Sequence, residues 1–147
     1  MADFSARFLL VRAADTLVAI EAAAVREILS APPATRIPGA PPEVLGVINV
    51  RGELVTLVHG HRLLGGDGAV REPGGDTPLV LLAWGGVAVA MAVDEVLDLV
   101  PADDVAMTPR EELPGVDPRL VRAVGMHGGR AFLVLDLDAL FRPLLAA

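Results

Sequence analysis

Ten short apolar runs, each closed off by glycine, proline or a polar residue, set narrow limits on what this chain can become. In the first half they are Phe8 to Val11, Leu17 to Ile20, Val25 to Leu29, Leu45 to Val50 and Leu54 to Val58. In the second they are Leu79 to Ala83, Val87 to Val93, Val96 to Val100, Val121 to Met126 and Ala131 to Leu135. Runs this short, rich in β-branched residues and punctuated at Asp15, Pro32-Pro33, Pro41-Pro42 and Gly52, are strands. An all-β sandwich or barrel is therefore expected.

The two halves also repeat one another. Phe8-Leu9-Leu10-Val11 falls on Leu79-Val80-Leu81-Leu82, Val18-Ala19-Ile20 on Val89-Ala90-Met91, and Val25-Arg26-Glu27-Ile28 on Val96-Leu97-Asp98-Leu99, with no gap. After loops of different length, Gly52 to Leu57 falls on Gly129 to Val134. Each half closes on a short helical pattern, His61 to Leu64 and Leu137 to Phe141. The expected architecture is two small β-barrels of about five strands sharing one core, closure serving to hide strand edges. Gly65 to Asp76 reads as a mobile Gly-rich connector, and 101–118 as an acidic, Pro-rich irregular stretch with a helical turn near Arg110 to Leu113.

Composition removes whole classes of function. At 147 residues, one domain with a real core is expected, and with only 3% aromatic residues that core is aliphatic. A net charge of −7 and the lack of any Lys/Arg run disfavour binding to nucleic acid or to anionic membrane. Scarce aromatics disfavour base stacking as well. There is no Cys, hence no disulfide or thiolate chemistry, which suits a reducing cytoplasm. The N-terminus does not read as a signal peptide, and Leu79 to Val93 is broken by Gly85-Gly86, so membrane association is expected only through a partner.

No catalytic constellation is convincing. His59 and His61 would share a face if the strand continued and would then suit a metal, but no third ligand of matching spacing is evident. Ser5 and Ser30 lie outside any nucleophile-elbow context, and Gly65-Gly66-Asp67-Gly68 lacks the lysine and helix of a phosphate loop. Asp136 reads as an N-cap for the last helix. Pairs such as Asp94/Asp98 and Asp103/Asp104 read as solvated acidic surface. What remains is a protein-binding scaffold in which exposed apolar residues supply area and charges such as Glu27 and Arg51 set orientation. The segment Asn49-Val50-Arg51-Gly52 stands out: apolar residues flank it on both sides, Gly52 permits the positive φ of a tight turn, and Arg51 projects a permanently charged fork from it.

That segment, with Val25-Arg26-Glu27-Ile28, Ile37-Pro38-Gly39-Ala40-Pro41, Leu45-Gly46-Val47-Ile48, Ala92 to Leu97 and Asp136-Leu137, resembles the CheW-like domain over about Phe8 to Phe141. The resemblance implies two intertwined five-stranded β-barrels (roughly 15–78 and 87–135, with terminal segments crossing) and a non-enzymatic adaptor without cofactor. It implies two partners, the regulatory domain of a CheA-type histidine kinase and the cytoplasmic tip of a methyl-accepting chemoreceptor, met in the cytoplasm. Carried onto this chain, the partner-binding residues are Arg51, Glu27 and Val25, with Asn49 and Gly52 shaping the turn and Val96 and Asp98 as repeat counterparts. One departure is clear. Where the family usually has Pro and then Asp-Leu-Arg, this chain has Thr56 and then His59-Gly60-His61. His is a poorer cap than Asp and Gly60 adds backbone freedom, so the first-half helix is expected to fray or to be capped otherwise. The departure motivates a second reading, a scaffold in a non-flagellar pathway that binds a kinase but no standard chemoreceptor. A small metal-dependent enzyme using His59, His61 and Asp136 is the reading from another class.

Overall fold

The computed structural model describes residues 7–30, 34–64, 76–101, 108–109 and 118–145. The connector at 65–75 and most of the acidic Pro-rich stretch, with its expected helical turn, lie outside the described residues. The strands are β1 (Arg7–Ala13), β2 (Thr16–Glu21), β3 (Val25–Ser30), β4 (Val44–Val50), β5 (Glu53–His59), β6 (Pro78–Trp84), β7 (Val87–Ala92), β8 (Glu95–Pro101), β9 (Thr108–Pro109), β10 (Val121–His127) and β11 (Arg130–Leu135). The helices are α1 (Gly60–Leu63) and α2 (Leu137–Leu145). Every expected strand is present, and both helical patterns are helices. Among the described residues no helix is long and apolar enough to cross a membrane.

The strands form two sheets, ordered β8-β1-β2-β11-β10-β9 and β3-β6-β7-β5-β4. Each half of the chain lends its first hairpin to the other half's sheet. β1 and β2 sit between β8 and β11, while β6 and β7 sit between β3 and β5. The sheets therefore divide the chain differently from 15–78 and 87–135: β2 belongs with the second-half strands and β7 with the first-half ones. The hairpins suit central positions. Their strands are apolar on both faces, so each must be covered on both sides, and a central place in the other half's sheet achieves that.

The repeat holds down to register. β11 pairs with β2 in parallel at Leu133↔Val18, and β5 with β7 at Thr56↔Val89. The ladders slip between Val25 and Glu27 on β3 and at the matching Val96–Asp98 step of β8. They slip again between Val44 and Gly46 on β4 and between Val121 and Ala123 on β10. Bulges at equivalent places bend equivalent strands, and the two sheets curl alike. The short strand β9 has its counterpart too. Thr108 pairs with Val124, while Thr35 makes a two-bond bridge to Val47 at 2.9 Å each way.

Three apolar clusters follow from this plan. Phe8, Leu10, Leu17, Ala19, Val100, Ala123, Phe132 and Val134 fill the concave side of the first sheet. Ile48, Val55, Leu57, Leu79, Leu81, Ala88, Ala90 and Ala92 fill the second. The other faces of the two exchanged hairpins (Leu9, Val11, Val18 and Ile20; Val80, Leu82, Val89 and Met91) meet between the sheets with Leu63, Leu140 and Phe141 of the helices. Hairpin strands thus carry unbroken apolar runs, whereas outer strands such as β3 and β10 alternate between covered and exposed residues. α2 is further fixed by Trp84, whose indole N–H donates to Asp138 Oδ1 at 2.6 Å and whose ring meets Phe141 edge-on at 6.2 Å.

The two helix starts differ as the sequence suggested they would. Asp136 Oδ1 accepts from the Ala139 N–H at 3.1 Å, a carboxylate cap. α1 is capped by His59 itself, whose Nδ1 accepts from the Arg62 N–H at 3.3 Å. Gly60 is needed for space rather than for freedom, since a Cβ there would stand 2.8 Å from the Ala92 carbonyl oxygen.

Candidate functional site

β4 and β5 are joined by the two residues Arg51 and Gly52, both with positive φ (49° and 88°), the pattern of a type I′ hairpin turn. Asn49 Oδ1 accepts from the Gly52 N–H at 2.8 Å and locks the turn from within. Gly52 suits its φ. Arg51 does not, because a side chain in the left-handed region crowds its own backbone. The positive φ of Arg51 is the feature that sequence reasoning missed. Its signal was the two-residue spacing between strands, which demands positive φ at both central positions.

From that turn the Arg51 guanidinium reaches the Glu27 carboxylate as a fork. Nη1 donates to Oε1 at 3.0 Å and Nη2 to Oε2. The hydrogen bonds from Arg51 hold the Glu27 carboxyl below the usual carboxylate range and raise the guanidinium in turn. Glu27 lies on β3 and Arg51 beside β4, the two ends of the strand order, so their contact requires the sheet to curl until its ends face one another. The Arg51 side chain remains 67% exposed. Its charge is thus presented outward and held in one orientation, on a chain that is otherwise strongly acidic.

The remaining residues of the expected site divide by burial. Val25 and Val96 are half-buried and pack against the shared core, a structural place more than a surface one. Asp98, the counterpart of Glu27, lies 3.4 Å from His127 Nε2 and stands at the corresponding corner of the other sheet. There the turn is Gly128-Gly129, with φ 58° and 78°, so no arginine projects. The structure thus brings Glu27, Asn49, Arg51 and Gly52 together, sets Val25 behind them, and places Asp98 and Val96 in the other half. Leu54, across the ladder from Asn49 and 72% exposed, belongs to the same corner and was not singled out from the sequence. It is an apolar side chain at an outward position of β5, beside the inward-pointing Val55 and Leu57.

Elsewhere the chemistry is thin. Among the described residues no three His, Cys, Asp or Glu side chains gather as a metal would require. His59 and His61 stand edge to face with ring centroids 6.4 Å apart, and the Nδ1 of His59 is engaged by the helix start.

Comparison with known proteins points the same way as the geometry. A family model described as CheW-like domain matches residues 7–144. The chain is 32% identical over 131 residues to a chemotaxis protein CheW of Rhizobium meliloti (strain 1021), covering 88% of this chain and 83% of that protein. It is 28% identical over 131 residues, with the same coverage, to a probable chemotaxis protein CheW of Rhizobium etli. The crystal structure of the scaffolding protein TtCheW from Thermoanaerobacter tengcongensis superposes with a TM-score of 0.82 at 20% identity, over 95% of this chain and 90% of that one.

Proposed function

The chain belongs to the CheW-like domain family, a family of non-enzymatic scaffolds in chemosensory signalling, and from that premise we propose that it couples chemoreceptors to a CheA-type histidine kinase. The observation that carries the reading is the Arg51 corner. A charged fork stands on a two-residue turn in a backbone conformation unfavourable to it, oriented by Glu27 and rimmed by the exposed Leu54. A feature that folding alone would not select is best explained by a partner. Pre-orientation lowers the entropy lost on binding, and a cation held in one place by Glu27 favours one docking register over others.

On this reading Arg51, Glu27 and the turn residues Asn49 and Gly52 meet the receptor tip, while Val25 shapes the surface from behind. Val96 and Asp98 would serve the second half in the same way. The kinase regulatory domain and the receptor tip are both protein partners, so coupling proceeds through interfaces, without cofactor. The protein would work in the cytoplasm and reach the membrane only through receptors. The same reading takes each curled sheet as a barrel, since β3 meets the turn beside β4 at Glu27–Arg51 in one half, and β8 meets β10, next to the short end strand β9, at Asp98–His127 in the other.

The test is a binding titration of the full chain with the regulatory domain of a CheA-type kinase, followed by a receptor-tip fragment. Binding to both, with receptor affinity reduced about tenfold or more by Arg51→Glu at unchanged fold, is the expected result. Binding to the kinase alone would replace coupling with a kinase scaffold, and binding to neither would overturn the proposal.

A further inference from the structure

We propose that the junction of β5 and α1 is a pH-sensitive latch, closed while the His59 imidazole is neutral and released when it takes up a proton. The geometry requires this dependence. An imidazole nitrogen accepts a hydrogen bond only when it carries no proton, and the Nδ1 of His59 is the acceptor for the Arg62 N–H that caps α1. A protonated ring would turn an N–H toward an N–H. With only four residues, α1 has few other bonds with which to hold its first turn.

The surroundings favour the neutral ring. His59 is half-buried, and the charged groups facing it are His61 and Arg62 from α1 and Asp94 from the β7–β8 connection. The turn before β4 contributes the Glu43 carbonyl, which accepts the backbone N–H of His59 at 2.9 Å. Burial, and secondarily His61, lower the His59 pKa from its ordinary value, with Asp94 opposing them. The sign follows. The folded form binds the proton less readily than the unfolded one, so the cap's contribution is complete above the ordinary histidine range. It is lost as pH falls through the lowered value.

The other half is the built-in control. Asp136 occupies the matching position, and its carboxyl group, which keeps an acceptor oxygen with or without a proton, accepts from the Ala139 N–H. What the latch governs is the seat of Leu63 and Leu64, which α1 delivers into the core shared by both sheets. Acidification therefore loosens the junction between the sheets and leaves the Arg51 corner, at the far end of β5, in place.

The experiment is backbone amide hydrogen exchange on the full chain at pH 7.5 and pH 5, each rate corrected for the intrinsic pH dependence, together with the nitrogen shifts of the His59 ring. Protection of the Arg62 amide should fall about tenfold at the lower pH, as expected for loss of a helix cap, while that of Ala139 stays constant. His59→Asp should keep Arg62 equally protected at both pH values, and His61→Asn should retain the response. At pH 7.5 the His59 ring should carry its proton on Nε2. Arg62 protection that tracks Ala139, or a ring protonated on Nδ1 at neutral pH, would overturn the proposal, and both observations need only the unsubstituted protein.

Discussion

The turn at Arg51-Gly52 and the turn at Gly128-Gly129 close equivalent hairpins in the two halves, with the same positive-φ geometry and different side chains. Equivalent hydrogen bonds join the far ends of the same hairpins. His59 N–H donates to the Glu43 carbonyl in one half as Asp136 N–H does to the Leu120 carbonyl in the other, and the ladders slip at matching residues. The fold thus asks for register, bulges and positive φ, and a pair of glycines meets the last demand at least strain. Where one half departs from that minimum, the proposed function and the proposed latch each give the departure a use. Arg51 in place of a glycine is one such departure, and His59 in place of an aspartate is another.

The comparison can be tested at four points. Phe132 is the more deeply buried of the two phenylalanines inside its sheet, whereas the matching Val55 belongs to a cluster of aliphatic residues only. Phe132→Ala should lower unfolding free energy by about 3–5 kcal/mol in chemical denaturation, clearly more than Val55→Ala. A comparable loss at both positions would mean that the two sheets share strain more than this division allows. Gly46 has φ 150°, and a Cβ there would stand 2.3 Å from the Thr35 carbonyl oxygen, while its counterpart in the other half is Ala123. Gly46→Ala should cost roughly 2–4 kcal/mol in the same assay, as forced backbone strain does. Asp136→Ala should remove about 1 kcal/mol at pH 7.5, the usual worth of a cap, and raise exchange at Ala139 without affecting Arg62. Last, Arg51→Gly should leave the thermal midpoint unchanged or slightly higher while weakening receptor binding. The glycine relieves the turn as the ion pair is lost, and an exposed ion pair contributes little to folding. A large drop in midpoint would make Arg51 a folding residue.

Much of this was legible in the sequence. The unbroken apolar runs of Phe8 to Val11 and Val87 to Val93 differ from the alternation of Val25 to Ser30 because central strands are covered on both faces and outer ones on one. The repeat of Val25-Arg26-Glu27-Ile28 in Val96-Leu97-Asp98-Leu99 foretold matched strands and, as it emerged, matched bulges. The exchange of hairpins was not readable from periodicity, since an apolar face does not specify which half's sheet will cover it. Only the family resemblance supplied the intertwining. Glu27 and Arg51 were both singled out, yet their direct pairing was hidden, because it depends on the curl of a whole sheet rather than on any local spacing. His59 as a cap was obscured for a different reason. Its imidazole can do a carboxylate's work only in one protonation state, which a residue letter does not show.

The most direct test of the account is to compare charge reversals at the two equivalent corners, Arg51→Glu and Asp98→Lys, by titrating each folded variant with a receptor-tip fragment. The account predicts about tenfold or greater loss of affinity for Arg51→Glu, with an unchanged thermal midpoint, and a distinctly smaller change for Asp98→Lys. Equal losses at both corners, or none at Arg51, would contradict the claim that the Arg51 corner is where this half of the protein was adapted to a partner.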